Sequence, residues 1–150
     1  MTAYTMTTYN HEDWFEAERL HRAGRDGDIQ EIGRLILLGY DVNLFDDMGY
    51  TPLHHAVEGQ QKEAVEILIK RGALINANDD ATIGETPLSL AVQGRHLGIV
   101  LLLLECGADP DINGWMGFTA RIRACRRVDE TGKAMCEILA GYPPKFDSFY

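Results

Sequence analysis

The sequence predicts an all-α solenoid, in which four helix-turn-helix units stack side by side and are joined by hairpin loops. Three observations support this prediction. A segment that opens with glycine recurs at a nearly constant spacing, and an apolar segment that ends in glycine recurs in phase with it. The chain has 150 residues, 45% of them hydrophobic, which is enough for one core without a metal or a disulfide.

The first recurring segment has the character of a helix start. Residues 49–57 (GYTPLHHAV) recur as residues 84–92 (GETPLSLAV) and, more weakly, as residues 117–125 (GFTARIRAC). The leading glycines are 35 and 33 residues apart. In the first copy Thr51 is a helix cap, and Pro52 occupies the first helical position, where no backbone N–H is needed. The segment therefore predicts the first helix of a unit.

The second recurring segment predicts the second helix. Residues 32–39 (IGRLILLG), 65–73 (VEILIKRGA) and 100–108 (VLLLLECGA) place apolar residues at helical spacing. Gly72 sits just past the end of its helix, where a positive φ is wanted. A pair of such short helices cannot bury its apolar face alone, so neighbouring units must stack. Each unit ends in a polar turn residue: Asn43, Asn76 and Asp111.

These two signatures together resemble the ankyrin repeat. The matching residues are TPLHHA at 51–56, TPL at 86–88, and the Gly-Ala endings at 72–73 and 107–108. Both motifs recur in phase at a period of about 33 residues, the period of that family. The resemblance covers about residues 14–140 and implies a non-enzymatic module that binds other proteins.

The predicted organisation has three parts. Residues 1–13 form an N-terminal extension, residues 14–142 a single repeat domain, and residues 143–150 an aromatic tail, which either packs over the open end of the stack or is disordered. The fourth unit has Ala120 in place of proline, and irregular end units are what capping of a solenoid requires. The units span about residues 14–46, 47–79, 80–113 and 114–142.

Composition narrows the class of partner. The net charge is −9, and an acidic surface repels phosphate, which argues against nucleic acid and favours a basic protein partner. The longest apolar run, residues 99–104, is far shorter than the roughly 20 residues that span a bilayer. Residues 1–13 lack the features of a secretory signal, so we expect no membrane association and a cytoplasmic location.

The cysteines fit the same location. Cys106, Cys125 and Cys136 are an odd number and include no CxxC pair. This pattern suits a reducing cytosol and argues against a disulfide framework. Cys106, beside a helix-ending glycine, is interpreted as an inert, partly exposed thiol.

No pattern of chemistry-bearing residues indicates an active site. The five histidines have no metal-ligand spacing, and no nucleophile or phosphate-loop motif is present, so we expect no metal, no cofactor and no catalysis. The resemblance implies that His54 is a structural imidazole that bonds between adjacent units, whereas His55 and His96 are solvated or half-buried. The carboxylate pairs at 46–47 and 79–80 fall in predicted hairpin loops and are interpreted as solvated charge.

The resemblance places a binding surface on the hairpin tips and the first helices. The tips are rich in large apolar side chains, which mark interaction sites, although Tyr50, Trp115 and Phe118 have the alternative of folding back over their own units. The arginines of residues 121–127 are expected to pair with carboxylates of the third unit or with the partner. The predicted partner-binding residues are Phe45, Asp47, Met48, Tyr50, Glu58, Asn78, Thr82, Ile83, Glu85, Gln93, Trp115, Met116, Phe118 and Arg126.

The sequence is consistent with two functions. The first is inhibition of one cognate protein by a monomeric binding module, and the chain resembles the small ankyrin proteins that bacteria encode as immunity partners of toxins. That resemblance rests on size, on the long third loop and on residues 114–120 (GWMGFTA), and it implies a basic toxin or effector as partner. The second is a regulatory or scaffold subunit of a signalling complex, which would bind through a smaller or more polar interface.

Overall fold

The structure, a computed structural model, describes residues 11–82 and 84–143. The described residues form nine α-helices and one turn of 3₁₀ helix at Trp115–Gly117, and they contain no strand. Among them no helix has both the length and the apolarity needed to cross a membrane. The helices are α1 (His11–Ala17), α2 (Arg19–Asp26), α3 (Ile29–Leu37), α4 (Pro52–Glu58), α5 (Lys62–Lys70), α6 (Pro87–Gln93), α7 (Leu97–Glu105), α8 (Ala120–Cys125) and α9 (Glu130–Ala140).

Eight of these helices form two parallel rows. Helices α2, α4, α6 and α8 pack against one another as the first-helix row, and α3, α5, α7 and α9 form the second-helix row. Each first helix also packs on the second helix that follows it, which gives four helix pairs, and α1 lies against α2. The predicted all-α repeat solenoid is confirmed.

The first helices begin where the sequence predicts. Pro52 and Pro87 are the first residues of α4 and α6. The Thr86 hydroxyl accepts the Ser89 backbone N–H at 3.1 Å. Although Ala120 replaces proline in α8, Thr119 still caps that helix. The cap therefore survives in the fourth unit, which explains why α8 begins in register with the others.

The core lies between the two rows. Leu53 and Leu88 occupy equivalent positions of α4 and α6, and Leu68 and Leu103 occupy equivalent positions of α5 and α7. All four are almost completely buried. The same side chain thus performs the same packing in successive units, and the apolar face of each pair is covered by its neighbours.

Gly59 shows how closely the first helices approach each other. Its φ is −73°, which any residue adopts, and the positive φ of this turn falls instead on Gln60. A Cβ added at Gly59 would lie 2.2 Å from the carbonyl oxygen of Arg25 in the preceding unit. Glycine is therefore required here by the contact between units rather than by the turn itself.

The structure contains a disulfide, which corrects the expectation from the cysteine pattern. Cys125, at the end of α8, forms a disulfide with Cys136 in α9, and their Cα atoms are 4.9 Å apart. The two residues meet because the fourth helix pair folds back on itself, which an 11-residue separation without a CxxC motif does not reveal. Cys106 is free and exposed.

Candidate protein-binding surface

The hairpin loops are tied to one another by asparagine side chains. Asn43 bonds to the next hairpin twice, donating to the Gly72 carbonyl at 3.1 Å and accepting the Leu74 N–H at 2.8 Å. Asn78, a predicted binding residue, is half-buried and donates to the Asn113 carbonyl at 3.1 Å. These bonds hold the hairpins as one row, so side chains at their tips are presented from a fixed frame.

Several predicted tip residues are exposed. Met48 is 51% exposed, Trp115 54% and Met116 71%. Phe45, Asp47 and Thr82 are also exposed, whereas Ile83 lies outside the described residues. The tips of the second and fourth units therefore present large apolar side chains to solvent, as protein-binding surfaces do.

The tip of the fourth unit is held in place by hydrogen bonds to the preceding hairpin. The Glu85 carboxylate, in the preceding hairpin, accepts the Trp115 backbone N–H at 3.3 Å and the Arg123 guanidinium at 2.6 Å. Met116 has a φ of 58°, an uncommon conformation for a residue with a side chain. Trp115 points to solvent instead of covering its own unit, and Phe118 is half-buried.

Two predicted contact residues are buried instead of exposed. The Tyr50 ring stacks on His54, with ring centroids 5.1 Å apart, and burial raises the pKa of its hydroxyl. The Glu85 side chain is only 4% exposed because it is bonded to Arg123. Both residues therefore lie inside the stack instead of on its surface. Glu85 faces the fourth unit, whereas Tyr50 packs against the first helix of its own unit.

Asp46 also differs from the expectation of a solvated carboxylate. Its side chain is 8% exposed and lies 2.6 Å from the His55 Nε2. It accepts the backbone N–H groups of Met48 and Tyr50, both at 2.9 Å. Burial alone would raise the pKa of Asp46, but the bonds from His55 and the backbone outweigh it and hold that pKa below its ordinary value. Asp46 thus shapes the hairpin tip.

The first-helix row carries two adjoining clefts, which share Gln93. They bring together Glu58, Gln93, Phe118 and Arg126 of the predicted residues and leave the exposed tip residues to one side. The larger cleft, of about 550 Å³, is lined by Arg25, Glu58, Gly59, Leu90, Gln93, Gly94 and His96. The smaller cleft, of about 280 Å³, is lined by Val92, Gln93, Phe118, Arg123, Arg126 and Arg127.

A third concavity lies at the tip of the second unit. It has a volume of about 390 Å³. One wall consists of Trp14 in α1 and Glu18 between α1 and α2, and the other consists of the hairpin residues Asp46, Asp47 and Met48. Trp14 was not predicted as a binding residue, nor were Leu90 and His96 in the larger cleft. Trp14 precedes the first repeat motif, so the repeat pattern offers no signal for it.

Two arginines of the fourth unit pair with carboxylates of the third unit, as expected. Arg123 bonds to Glu85 of the third unit, and Arg121 bonds to Asp111 at 2.7 Å. Arg127 lies 2.9 Å from Asp129, and this contact, with the Gly132 N–H, holds the pKa of Asp129 at about 2. Within the described residues, 11–82 and 84–143, no group of histidine, cysteine and carboxylate side chains is arranged to hold a metal.

Comparison with known proteins agrees with this architecture. A family model for ankyrin repeats, in three copies, matches residues 20–114, which is more than half of the chain. Palmitoyltransferase akr1 of Neurospora crassa is 44% identical over 95 residues, which cover 63% of this chain and 13% of that protein.

Two further relatives match similar stretches. BRCA1-associated RING domain protein 1 of Caenorhabditis elegans is 40% identical over 128 residues, covering 81% of this chain and 18% of that protein. Human ankyrin repeat and SOCS box protein 3 is 40% identical over 90 residues, covering 59% of this chain and 17% of that protein. The chain thus spans less than a fifth of the length of these relatives. It belongs to the ankyrin-repeat family.

Proposed function

We propose that this chain binds one protein partner, as a monomer, through its hairpin tips and first-helix row, and that binding inhibits the partner. The observation that supports this most is the row of exposed apolar side chains, Met48, Trp115 and Met116, on hairpins that are bonded to one another. Because the hairpin backbones are already fixed by these bonds, binding has to order the side chains but little of the backbone, and the burial of large apolar groups can then contribute to affinity.

The charge of the chain supports a partner with a basic surface. The net charge is −9, and Asp47 and Asp80 are exposed in the hairpin loops. An acidic surface of this kind attracts a basic protein and therefore raises the association rate. Neutralisation of a toxin, the role of the bacterial immunity proteins that the sequence resembles, is the form of inhibition that we propose.

A regulatory or scaffold role is the alternative, and the relatives favour it. The matched region makes up only 13–18% of the three relatives named above, so in those proteins a repeat region accompanies much longer sequence. The two functions differ in affinity. Inhibition requires a tight one-to-one complex, whereas a scaffold exchanges its partners at about micromolar dissociation constants.

The test is capture of partners on the immobilised full chain at low and high salt, followed by mass spectrometry and measurement of affinity and stoichiometry. One partner, bound one-to-one and retained at high salt, supports the inhibitor. The double variant Trp115→Ala, Met48→Ala should weaken that complex by about 100-fold, because both side chains are expected hot spots.

Leu37→Ala is the matched control. Leu37 is 81% exposed at the end of α3 in the second-helix row, away from the proposed surface, so its truncation should leave affinity unchanged. Full affinity in the double variant, or equal loss in the control, would remove the surface from the proposal. Several weak partners that all dissociate at high salt would replace the inhibitor with the scaffold.

A further inference from the structure

The smaller cleft on the first-helix row is unusual in its charge, and we call it the arginine cleft. Its polar wall consists of Arg123, Arg126 and Arg127, and its apolar wall consists of Val92 and Phe118. All three arginines belong to α8 or follow it directly, while Val92 lies at the end of α6. The cleft therefore sits at the junction of the third and fourth units.

The carboxylates around this cleft are too few to neutralise its arginines. Glu85 is bonded to Arg123, and Asp129 is shared between Arg127 at 2.9 Å and Arg95 at 3.3 Å. Three guanidinium groups thus share two carboxylates, and Arg126 adds a fourth positive charge, which leaves a local positive charge on a chain whose net charge is −9. Such a local reversal of sign attracts an anionic group.

Arg126 has the greatest unused capacity to bind an anion. It is exposed, and its guanidinium lies 5.1 Å from the centre of the Phe118 ring, which orients it over the cleft. Among the residues that the structure describes, no carboxylate lies within ion-pair distance of Arg126. A guanidinium has five N–H donors in a planar fork that matches the two oxygens of a carboxylate.

The other two arginines also have donors to spare. The buried Nε atoms of Arg123 and Arg127 have no hydrogen-bond acceptor within the described part of the chain. Arg127 donates to the Gln93 carbonyl only at 3.4 Å. Buried donors without acceptors cost free energy, and Oε2 of the Glu85 carboxylate bonded to Arg123 likewise has no donor among the described residues, so the polar groups beside the cleft do not fully satisfy one another.

We infer that the arginine cleft receives a glutamate or aspartate side chain from an acidic segment of the protein partner. The carboxylate binds to Arg126 and its neighbours, and an adjacent apolar residue of the same segment packs on Phe118 and Val92. This inference rests on the proposed function and adds a specificity element to it. A basic partner meets the acidic hairpins, and its acidic segment fixes the register of the complex at the arginine cleft.

A protein carboxylate fits the cleft better than a nucleic acid does. A nucleic acid carries phosphates along its whole length, and outside the cleft these would face a chain with 23 acidic and 14 basic residues. One carboxylate beside one apolar group matches a single cleft of about 280 Å³ with one apolar wall. The ligand of the cleft is therefore a peptide segment.

The experiment uses the full chain labelled with nitrogen-15 and a blocked peptide in which two glutamates are flanked by leucines. Binding is followed by the Nε–Hε signal of Arg126 and the backbone signals of Phe118 and Gln93. The same peptide with both glutamates replaced by glutamines should bind at least about tenfold more weakly, because it lacks the charge.

Two variants test the assignment. Arg126→Gln should weaken the acidic peptide about tenfold, and Arg126→Lys should restore part of the affinity, since it keeps the charge but loses the planar fork. Arg71→Gln is the matched control, because Arg71 is an exposed arginine at the end of α5 in the second-helix row. Circular dichroism of each variant verifies that the fold is intact.

Equal affinity for the two peptides, equal loss in the Arg71 control, or no signal change at millimolar peptide would overturn the inference. Tighter binding of a single-stranded oligonucleotide at these same signals would also overturn it and assign the cleft to phosphate. Because the peptide experiment needs no cognate partner, its failure leaves the partner capture above intact. Conversely, a failed capture with successful peptide binding would reject the proposed function alone.

Discussion

His54 illustrates how one residue links a helix start to the next unit. Its Nδ1 accepts the Thr51 backbone N–H at 3.0 Å, so the ring proton must reside on Nε2, which donates to the Glu85 carbonyl at 2.7 Å. Only the neutral ring with its proton on Nε2 makes both bonds at once. Burial lowers the pKa of His54 to about 4. Protonation therefore breaks the bond at Nδ1 and places a charge inside the stack.

Stability should consequently fall as the pH drops from about 6.5 to about 4. In this range a histidine of the unfolded chain binds a proton while folded His54 does not, so the free energy of unfolding decreases by up to roughly 3 kcal/mol. Burial also lowers the pKa of His21, which adds a loss of the same sign.

Urea unfolding from pH 7.5 to pH 4.5 measures this loss. His54→Gln cannot titrate, so its unfolding free energy should change less with pH than that of the unmodified chain, and the remaining change belongs to His21 and other groups. Identical pH dependence in the two proteins would show that His54 is not the group responsible.

Met116 is a second residue at which two effects can be measured separately: the backbone strain that it imposes on the fold and the contribution of its side chain to binding. Its φ of 58° strains the backbone, yet its side chain is 71% exposed and gains little from packing. Met116→Gly should be more stable than Met116→Ala by about 1 kcal/mol, because only glycine adopts this φ without strain. Both variants should lose the same affinity for the partner, since both remove the side chain.

Thermal unfolding and partner titration of the two variants separate these effects. If alanine is as stable as glycine, the tip does not store strain at this residue. If both variants bind normally, Met116 is not part of the interface.

At the scale of the element, the disulfide joins α8 to α9 in the last unit. Cys125 is exposed, so a reductant reaches this bond readily. Its reduction, or Cys136→Ser, should lower the free energy of unfolding by about 2–3 kcal/mol, because the cross-link restricts the unfolded loop between these cysteines. Since Arg126 and Arg127 directly follow Cys125, affinity for the acidic peptide should fall as well.

Urea unfolding with and without dithiothreitol tests this expectation, and hydrogen exchange should place the loss in α8 and α9. Cys106→Ser is the control, since Cys106 is free and exposed and its replacement should change nothing. An unfolding midpoint that dithiothreitol leaves unchanged would show that the bond contributes nothing to the fourth unit.

The helices are the part of this molecule that a sequence predicts well. Threonine caps, prolines at first helical positions and apolar periodicity are local signals, and they place α4 and α6 where the structure has them. Because the period repeats, it also predicts how units stack. Gly59 is an exception even here, since its requirement comes from the Arg25 carbonyl of another unit.

The candidate surface was predicted less completely, because it depends on contacts between units. Met48 and Trp115 are exposed as expected. Tyr50, however, is buried against His54 of its own unit, and Glu85 is buried against Arg123 of the next unit. The bond from Glu85 to Arg123 crosses 38 residues of sequence, and no local pattern encodes it. The disulfide likewise has no local signal in the sequence, since the two cysteines meet only when the last helix pair closes.

At the scale of the whole molecule, each unit is stabilised by its interfaces with the neighbouring units. The first-helix row and the second-helix row both run through all four helix pairs, so a central unit is supported on two sides and the last unit on one. Leu88 in α6 and Leu139 in α9 are both almost completely buried. Replacing either leucine with alanine should cost about 2–5 kcal/mol at its site.

The two replacements should nevertheless destabilise different parts of the stack. Leu88→Ala weakens interfaces on both sides, so we expect one cooperative transition at a lower urea midpoint, with loss of hydrogen-exchange protection from α4 to α8. Leu139→Ala weakens only the end of the stack, so α8 and α9 should lose protection while α4 and α5 keep it. If Leu139→Ala instead lowers protection equally in all four units, the stack unfolds as one indivisible body. The fourth unit, which carries the arginine cleft, could then not unfold independently of the second unit.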